Sequence, residues 1–392
     1  MGTKTYDSAT DLITFSRASG ATFLGSNGLL QTAANNVPRI EYDATGAVKG
    51  LLIEVARTNI LRYSSDYTGV DWTKNGTTAT ASAGVSPSGL TDASLITATA
   101  ITDEHRFYQN RPSAGTHNTF YNKSIYAKAG TANFISISGG SLASGYAVFN
   151  LSTGVVSSQA NMQQAAIEDV GSGWYRCSMH GTVTSNFLVV NIGTTAANAV
   201  PQVNWLGAGE TVYLYGAQWE AGSFPTSYIP TTGSTATRAA DFAQIPTSAF
   251  GYNNDKGSLV IDVLTPDADQ FTGLAVFNTV NYHNSRGLWK SNFSYNGAGD
   301  YFFFQTFDGV SLKVPLGQQT QAGYTKLGLS YGDNENAVKD GGTVISGARR
   351  YTNPIRLILG GRDDGYQSQC WIKSIKYYPR RLSNAQLQEL TT

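Results

Sequence analysis

Along most of this chain apolar and polar residues alternate with a period of two, the mark of strands that bury one face. "GYAVFNLSTGVVSSQ" reads as two strands joined by Ser152, Thr153 and Gly154, with Ala147, Phe149 and Leu151 on one face. "GWYRCSMHGTV" sets Tyr175, Cys177 and Met179 against Trp174, Arg176 and Ser178. "NFISISGG", "NFLVVNIG" and "ETVYLYGAQWE" continue the pattern at spacings of roughly 15 to 25 residues, as in an antiparallel sandwich. This first sandwich is placed at residues 63–222.

A second set follows at residues 246–392: "GSLVIDVLTP", "FTGLAVFN", "DYFFFQTFDGVSLKV", "YTKLGLSYGDN", "IRLILGGRDD" and "CWIKSIKYYP". Asp340-Gly341 in "VKDGGTVIS" is a type I′ hairpin signal. One helix is predicted, in "RLSNAQLQEL". Ser383 would cap it with Gln386 in a capping box, and Leu382 and Leu387 would form a hydrophobic staple. The fold class expected is therefore all-β, two antiparallel β-sandwiches in tandem with one short C-terminal helix.

Two stretches break the pattern. Residues 1–62 hold short apolar pairs between Gly and Asn turns, too little to bury a core alone, so they need a neighbour or a second chain. Residues 223–245, "SFPTSYIPTTGSTATRAADFAQI", form a small-residue ribbon read as a linker exposed to proteases. "SRASGAT" at 16–22 echoes "GSTATRAAD" at 233–241.

Composition narrows the function classes. Of 392 residues only 14% are charged, the formal net charge is zero, and 22 Tyr and 42 Gly suit strands and tight turns. Zero net charge argues against nucleic acid and against an electrostatic membrane partner. Cys177 and Cys370 are too few for a disulfide scaffold or a Cys-based metal site. No apolar run of signal-peptide or membrane-span length is present, so cytoplasmic synthesis without membrane insertion is expected.

Catalytic motifs are missing. There is no phosphate loop, zinc-protease motif, dinucleotide fingerprint or Cys-x-x-Cys, and "GGSLASG" has Ala143 where a nucleophile elbow needs Gly. His180, in a predicted strand, reads as a packed or surface residue rather than a base. The carboxylate pairs Glu168-Asp169, Asp333/Glu335 and Asp363-Asp364 read as turn residues rather than as the pair that glycoside hydrolysis needs. "GDNENAVKDGG" is rich in oxygen ligands, but Glu335 and Ala337 break the calcium-loop spacing. It leaves a structural calcium open, and no other cofactor is expected.

"GLLIEVARTNILRYSSDYTGVDWTKNGTTAT", followed by "VYLYGAQWEAGSFPTSYIPTTGSTATRAAD", resembles a recurrent module of tailed-bacteriophage fibre and spike proteins. Glu54, Arg57, Thr58, Asn59, Trp72, Gly216, Gln218, Glu220 and Gly222 match its pattern. The first sandwich would then be a jelly-roll similar to carbohydrate-binding modules. The second, ending "IKSIKYYPRRLSNAQLQELT", resembles concanavalin-A-like (laminin-G-like) domains. The resemblance implies a non-enzymatic virion protein, a homotrimer joined to other virion proteins through residues 1–62 and binding a host surface glycan. A purely structural decoration protein and a glycan depolymerase are the alternatives. Sugars stack on exposed rings beside polar groups. The expected ligand residues are thus Tyr282, Asn284 and Arg286 in one loop of the second sandwich and Asp364, Tyr366 and Gln367 in another, with Trp371 in the core.

Overall fold

The computed structural model describes residues 12–111, 120–182, 185–266, 272–278, 284–291, 301–308, 311–318, 323–348, 353–361 and 369–392. The all-β expectation holds, and all strand pairs among these residues are antiparallel. The first sandwich has two six-stranded sheets. Its near sheet runs Gln164–Gly171, Trp174–Thr182, Phe120–Ala129, Thr211–Ala221, Ala93–Ala98, Thr77–Gly84. Its far sheet runs Val155–Ala160, Tyr146–Asn150, Phe134–Ser138, Phe187–Gly193, Arg106–Asn110, Thr73–Asn75. Ile125, Cys177, Leu214 and Trp219 of the near sheet meet Phe107, Ile135, Phe149 and Val190 of the far sheet in one core. The hairpin read from sequence is present, with Tyr146 opposite Ala160 and Gly154 at φ +67 in the turn.

The second sandwich has two seven-stranded sheets, and the N-terminal segment is built into both. Thr14–Ser16 forms the edge of one sheet beside Phe242–Pro246. Arg39–Tyr42 and Val48–Ile53 extend the other beyond Cys370–Tyr378. The segment needs a neighbour, as expected, but that neighbour is the far end of its own chain. Residues 12–62 are therefore not structurally separate from the second sandwich. Leu51 and Ile53 belong to the second core with Leu259, Ile261, Phe277 and Leu359. Gly50 makes this possible. It sits at φ +127, and a Cβ there would lie 2.5 Å from the carbonyl oxygen of Ile372.

The ribbon is likewise not a free linker. Ala236–Arg238 pairs with Arg57–Asn59, and Phe242–Pro246 pairs with Thr14–Ser16 and Arg356–Leu359. Tyr228 and Ile229 are buried, and the carbonyls of Thr231 and Thr232 accept from the Ser64 and Tyr63 amides. The two echoing sequences also meet, since the Ala239 amide donates to Ser19 Oγ.

The local expectations at the C-terminus hold. Asp340 and Gly341 both take positive φ, as a type I′ turn requires. The helix Asn384–Thr391 carries the Ser383/Gln386 capping box, and Leu382 and Leu387 pack on Val260 and Val338.

Candidate ligand-binding face

The residues behind the phage-protein resemblance make an internal joint. Glu54, at the end of strand Val48–Ile53, accepts from the Ser227 amide and hydroxyl and pairs with Arg39 at 2.7 Å and with Arg238. Asp241 pairs with Arg39 at 2.6 Å and Arg17 at 3.2 Å, and none of these side chains is more than 1% exposed. Burial alone would raise the Glu54 carboxyl; Arg238, Arg39 and the Ser227 donors outweigh it and hold it at about 2. Asn59 donates to the Ala217 and Ile229 carbonyls and accepts from the Trp219 amide. Gln218 donates to Glu220, which in turn accepts from the Thr226 amide and hydroxyl. Apart from Arg39 Nε and Arg238 Nε, which are buried without a partner, these groups pair with one another and tie the first sandwich, the ribbon and the N-terminal strands together.

The same joint covers the outer face of the near sheet. Tyr126, Trp174 and Tyr215 point outward there and are buried with Tyr228 of the ribbon, against Leu30 of the N-terminal hairpin. Arg176, stacked on Tyr126, donates to the Thr226 carbonyl. A cavity of about 30 Å³ remains beside them, bordered by Glu41, Glu168 and Arg176, with room for about one water.

The expected ligand loops fare differently. Tyr282, Asp364, Tyr366 and Gln367 lie outside the described residues. Asn284 and Arg286 are in a strand, Asn284–Ser291, rather than a loop. Arg286 corrects the expectation further. It is 2% exposed, donates through Nε to Glu335 at 2.7 Å and stacks 4.2 Å from the Tyr331 ring centre, because a buried guanidinium needs both a counterion and a surface to lie on. Glu335 is accordingly a core residue of strand Asn334–Lys339, and the oxygen-rich "GDNENAVKDGG" is largely strand instead of a calcium-type loop. Glu168 also lies in a strand and pairs with Lys49 at 3.3 Å. Trp371 is half-buried, not in the core: its Nε1 donates to Glu41 and the Lys49 amine lies 4.5 Å from its ring centre. Among the described residues no three His, Cys, Asp or Glu are placed to hold a metal ion, and no helix is long and apolar enough to cross a membrane.

The outer face of the far sheet is built differently. Phe107, Leu188, Val190, Ile192, Ile135 and Ile137 point into the core, so alternation sends their neighbours outward. The register then sets two rows across the strands. One runs Arg106, Asn191, Ser136, Val148, Ser158, and the next runs Tyr108, Val189, Ser138, Tyr146, Ala160. Arg106 lies over the Tyr108 ring at 5.6 Å, and Tyr108 meets Phe187 edge-on at 5.7 Å. Glu104 pairs with Arg106 at 3.3 Å.

Three polar atoms of the first row are buried without a partner: Arg106 Nε, Asn191 Oδ1 and Ser136 Oγ. Ser136 is not exposed and Asn191 is 2% exposed, so these atoms are closed to solvent, like Arg39 Nε and Arg238 Nε in the joint; the accessible part of the face is Arg106, Tyr108 and Phe187. Behind the face, Lys123 of the near sheet crosses the core. It donates to the Ser138 carbonyl at 3.2 Å and the Phe187 carbonyl at 2.6 Å, with its amine 4.7 Å from the Trp219 ring centre. Sequence reasoning marked "FISIS" and "FLVVNIG" as strands without asking which residues faced out. The alternation of Arg106, Tyr108 and Phe187 with the inward Phe107 and Leu188 was the available signal.

No protein-family model matches this chain, and no curated protein matches it. Among solved structures it is similar to the CBM40 domain of the Ruminococcus gnavus IT-sialidase, with 16% identity, 36% of this chain and 84% of that one covered, and a TM-score of 0.30. Domain 4 of AbnA, a GH43 extracellular arabinanase from Geobacillus stearothermophilus, gives 12%, 44%, 84% and 0.31 in the same order. Trypanosoma rangeli sialidase gives 11%, 76%, 60% and 0.30. At these identities and scores the likenesses carry nothing about function.

Proposed function

We propose that this is a non-catalytic glycan-binding protein whose ligand lies on the outer face of the far sheet, beside Arg106, Tyr108 and Phe187. The observation that carries this reading is the half-buried cluster in which the Arg106 guanidinium lies over the Tyr108 ring and Phe187 meets that ring edge-on. Sugar hydroxyls supply donors and acceptors together, and sugar C–H faces stack on rings. The non-catalytic part is supported by Glu335 and Glu168, which are engaged in ion pairs. The motif residues from Glu54 to Gly222 support a place in a phage fibre or spike, assembled as a homotrimer with other virion proteins. A glycan array tests the binding reading: the wild-type protein should bind, and Tyr108→Ala should bind roughly tenfold more weakly. Native mass spectrometry tests the trimer.

A further inference from the structure

The strand that carries Arg106 and Tyr108, Arg106–Asn110, is followed by an arginine in a different situation. Arg111 continues the pairing, its amide donating to the Asn186 carbonyl at 2.8 Å, one residue before Phe187. Arg106 is held by Glu104, and Arg57, Arg176, Arg356 and Arg381, the other half-buried arginines among the described residues, each donate a side-chain hydrogen bond. Half-buried Arg111 makes none, and its guanidinium nitrogens are open to solvent.

The charges around it leave a surplus. Two guanidiniums, those of Arg62 and Arg111, share one carboxylate, Asp71, which pairs with Arg62 at 3.7 Å. Burial and Arg62 both push the Arg111 guanidinium below its ordinary value, and Asp71 alone opposes them. A second anion would relieve this, and a carboxylate fits best because it can take two parallel hydrogen bonds from one guanidinium. The loop that holds Arg62 and Asp71 is fixed in advance. Gln109 exchanges hydrogen bonds with the amide and carbonyl of Arg62, and the Trp72 indole donates to the Tyr63 carbonyl. The Lys74 amine donates to the carbonyls of Thr68, Gly69 and Trp72. From Arg106 to Arg111 the strand runs about 16 Å, within the span of a short oligosaccharide.

We infer, resting on the glycan-binding reading above, that Arg111 and Arg62 form a subsite for the carboxylate of an acidic sugar, at the end of a glycan that lies along the strand over Tyr108 and Phe187. The test is an array of uronate-containing oligosaccharides printed beside the same chains with each carboxylate reduced to a hydroxymethyl group. The acidic members should bind roughly tenfold more tightly than their reduced counterparts, and the difference should shrink as salt is raised. Arg111→Gln should remove most of that difference at a melting temperature near wild type, because Arg111 has no partner to lose. Asp71→Asn removes the competing carboxylate and should raise binding of the acidic members several-fold. Equal binding of acidic and reduced chains by the wild-type protein would overturn the inference and leave the glycan reading standing. An acid preference unchanged by both substitutions would overturn its assignment to these arginines. Failure of every sugar in both classes would defeat the glycan reading itself.

Discussion

Arg39 and Asp241 are 202 residues apart in sequence, yet Arg39 Nη2 donates to Asp241 Oδ2 at 2.6 Å and neither side chain is exposed. Arg39 also holds Glu54, so one guanidinium joins the N-terminal strands to the ribbon. Replacing it with Met leaves two buried carboxylates short of a partner. Arg39→Met should therefore cost about 3–5 kcal/mol. Denaturant unfolding checks this, and a loss below about 1 kcal/mol would mean the pair adds little to the joint.

Residues 223–245 should resist proteolysis. A protease needs an extended, unpaired segment, and here Tyr228 and Ile229 are buried while Ala236–Arg238 is paired with Arg57–Asn59. Limited digestion of the native protein, read by mass spectrometry, should give its first cuts elsewhere. An early cut between 226 and 240 would show that the ribbon opens before the sandwiches do.

The N-terminal strands should be inseparable from the second sandwich. Gly50→Val places side-chain atoms where a Cβ alone would lie 2.5 Å from the Ile372 carbonyl, at a φ that β-branched residues avoid. The strand must shift, exposing Leu51 and Ile53, so the melting temperature should fall by several degrees, on the scale of about 2–4 kcal/mol. By the same reasoning a protein lacking residues 1–62 should be insoluble, since it lacks Glu54 and two strands of one sheet. A soluble, cooperatively melting truncation would contradict this.

Much of this architecture was legible in the chain because it is local. Alternation in "GYAVFNLSTGVVSSQ", Asp340-Gly341 and the Ser383/Gln386 cap each act within a few residues, and each is present. What escaped was long-range. Nothing near Arg39 says that its partner is Asp241, and small polar residues such as Thr226 and Ser227 look like linker until Glu220 and Glu54 are seen accepting their hydrogen bonds. The candidate face was hidden for a related reason. Tyr108 and Phe187 lie 79 positions apart, and only strand register brings their rings together. Arg286 misled because a charged residue among Asn, His and Ser reads as a loop residue when its counterion, Glu335, is out of view.

Stability should depend on pH through Lys123. Burial brings its amine down to about 7 from the ordinary 10.5. Above pH 7 the folded protein therefore holds this amine neutral, while the unfolded chain keeps it charged up to about pH 10.5. Between those values the unfolded state binds more protons, so this group's contribution to stability rises with pH across the window. Below pH 7 the cost of burying the charge is present in full. Lys123→Met should flatten the curve of unfolding free energy against pH between about 7 and 10. An unchanged slope in the variant would mean that other groups set the alkaline dependence.

Binding and stability should separate on the far-sheet face. Tyr108 is half-buried on the outer side, packed on Arg106 and Phe187 rather than in the core formed by Phe107 and its neighbours. Removing its ring takes away a stacking surface and loosens Arg106, at a cost to glycan affinity on the order of 1–2 kcal/mol, or roughly tenfold. Fold stability should fall by less, because the strand keeps its ladder with Phe187–Gly193 and its inward residues. Phe107→Ala is the matched control: the same strand and a similar ring, but 1% exposed and in the core, so it should lower stability by about 3–5 kcal/mol. Isothermal titration with whichever oligosaccharide the array selects, paired with thermal unfolding, reads both quantities. If Tyr108→Ala melts as early as Phe107→Ala, Tyr108 is a structural ring and the face is packing surface. If it binds as tightly as wild type at normal stability, the ligand does not rest on this row.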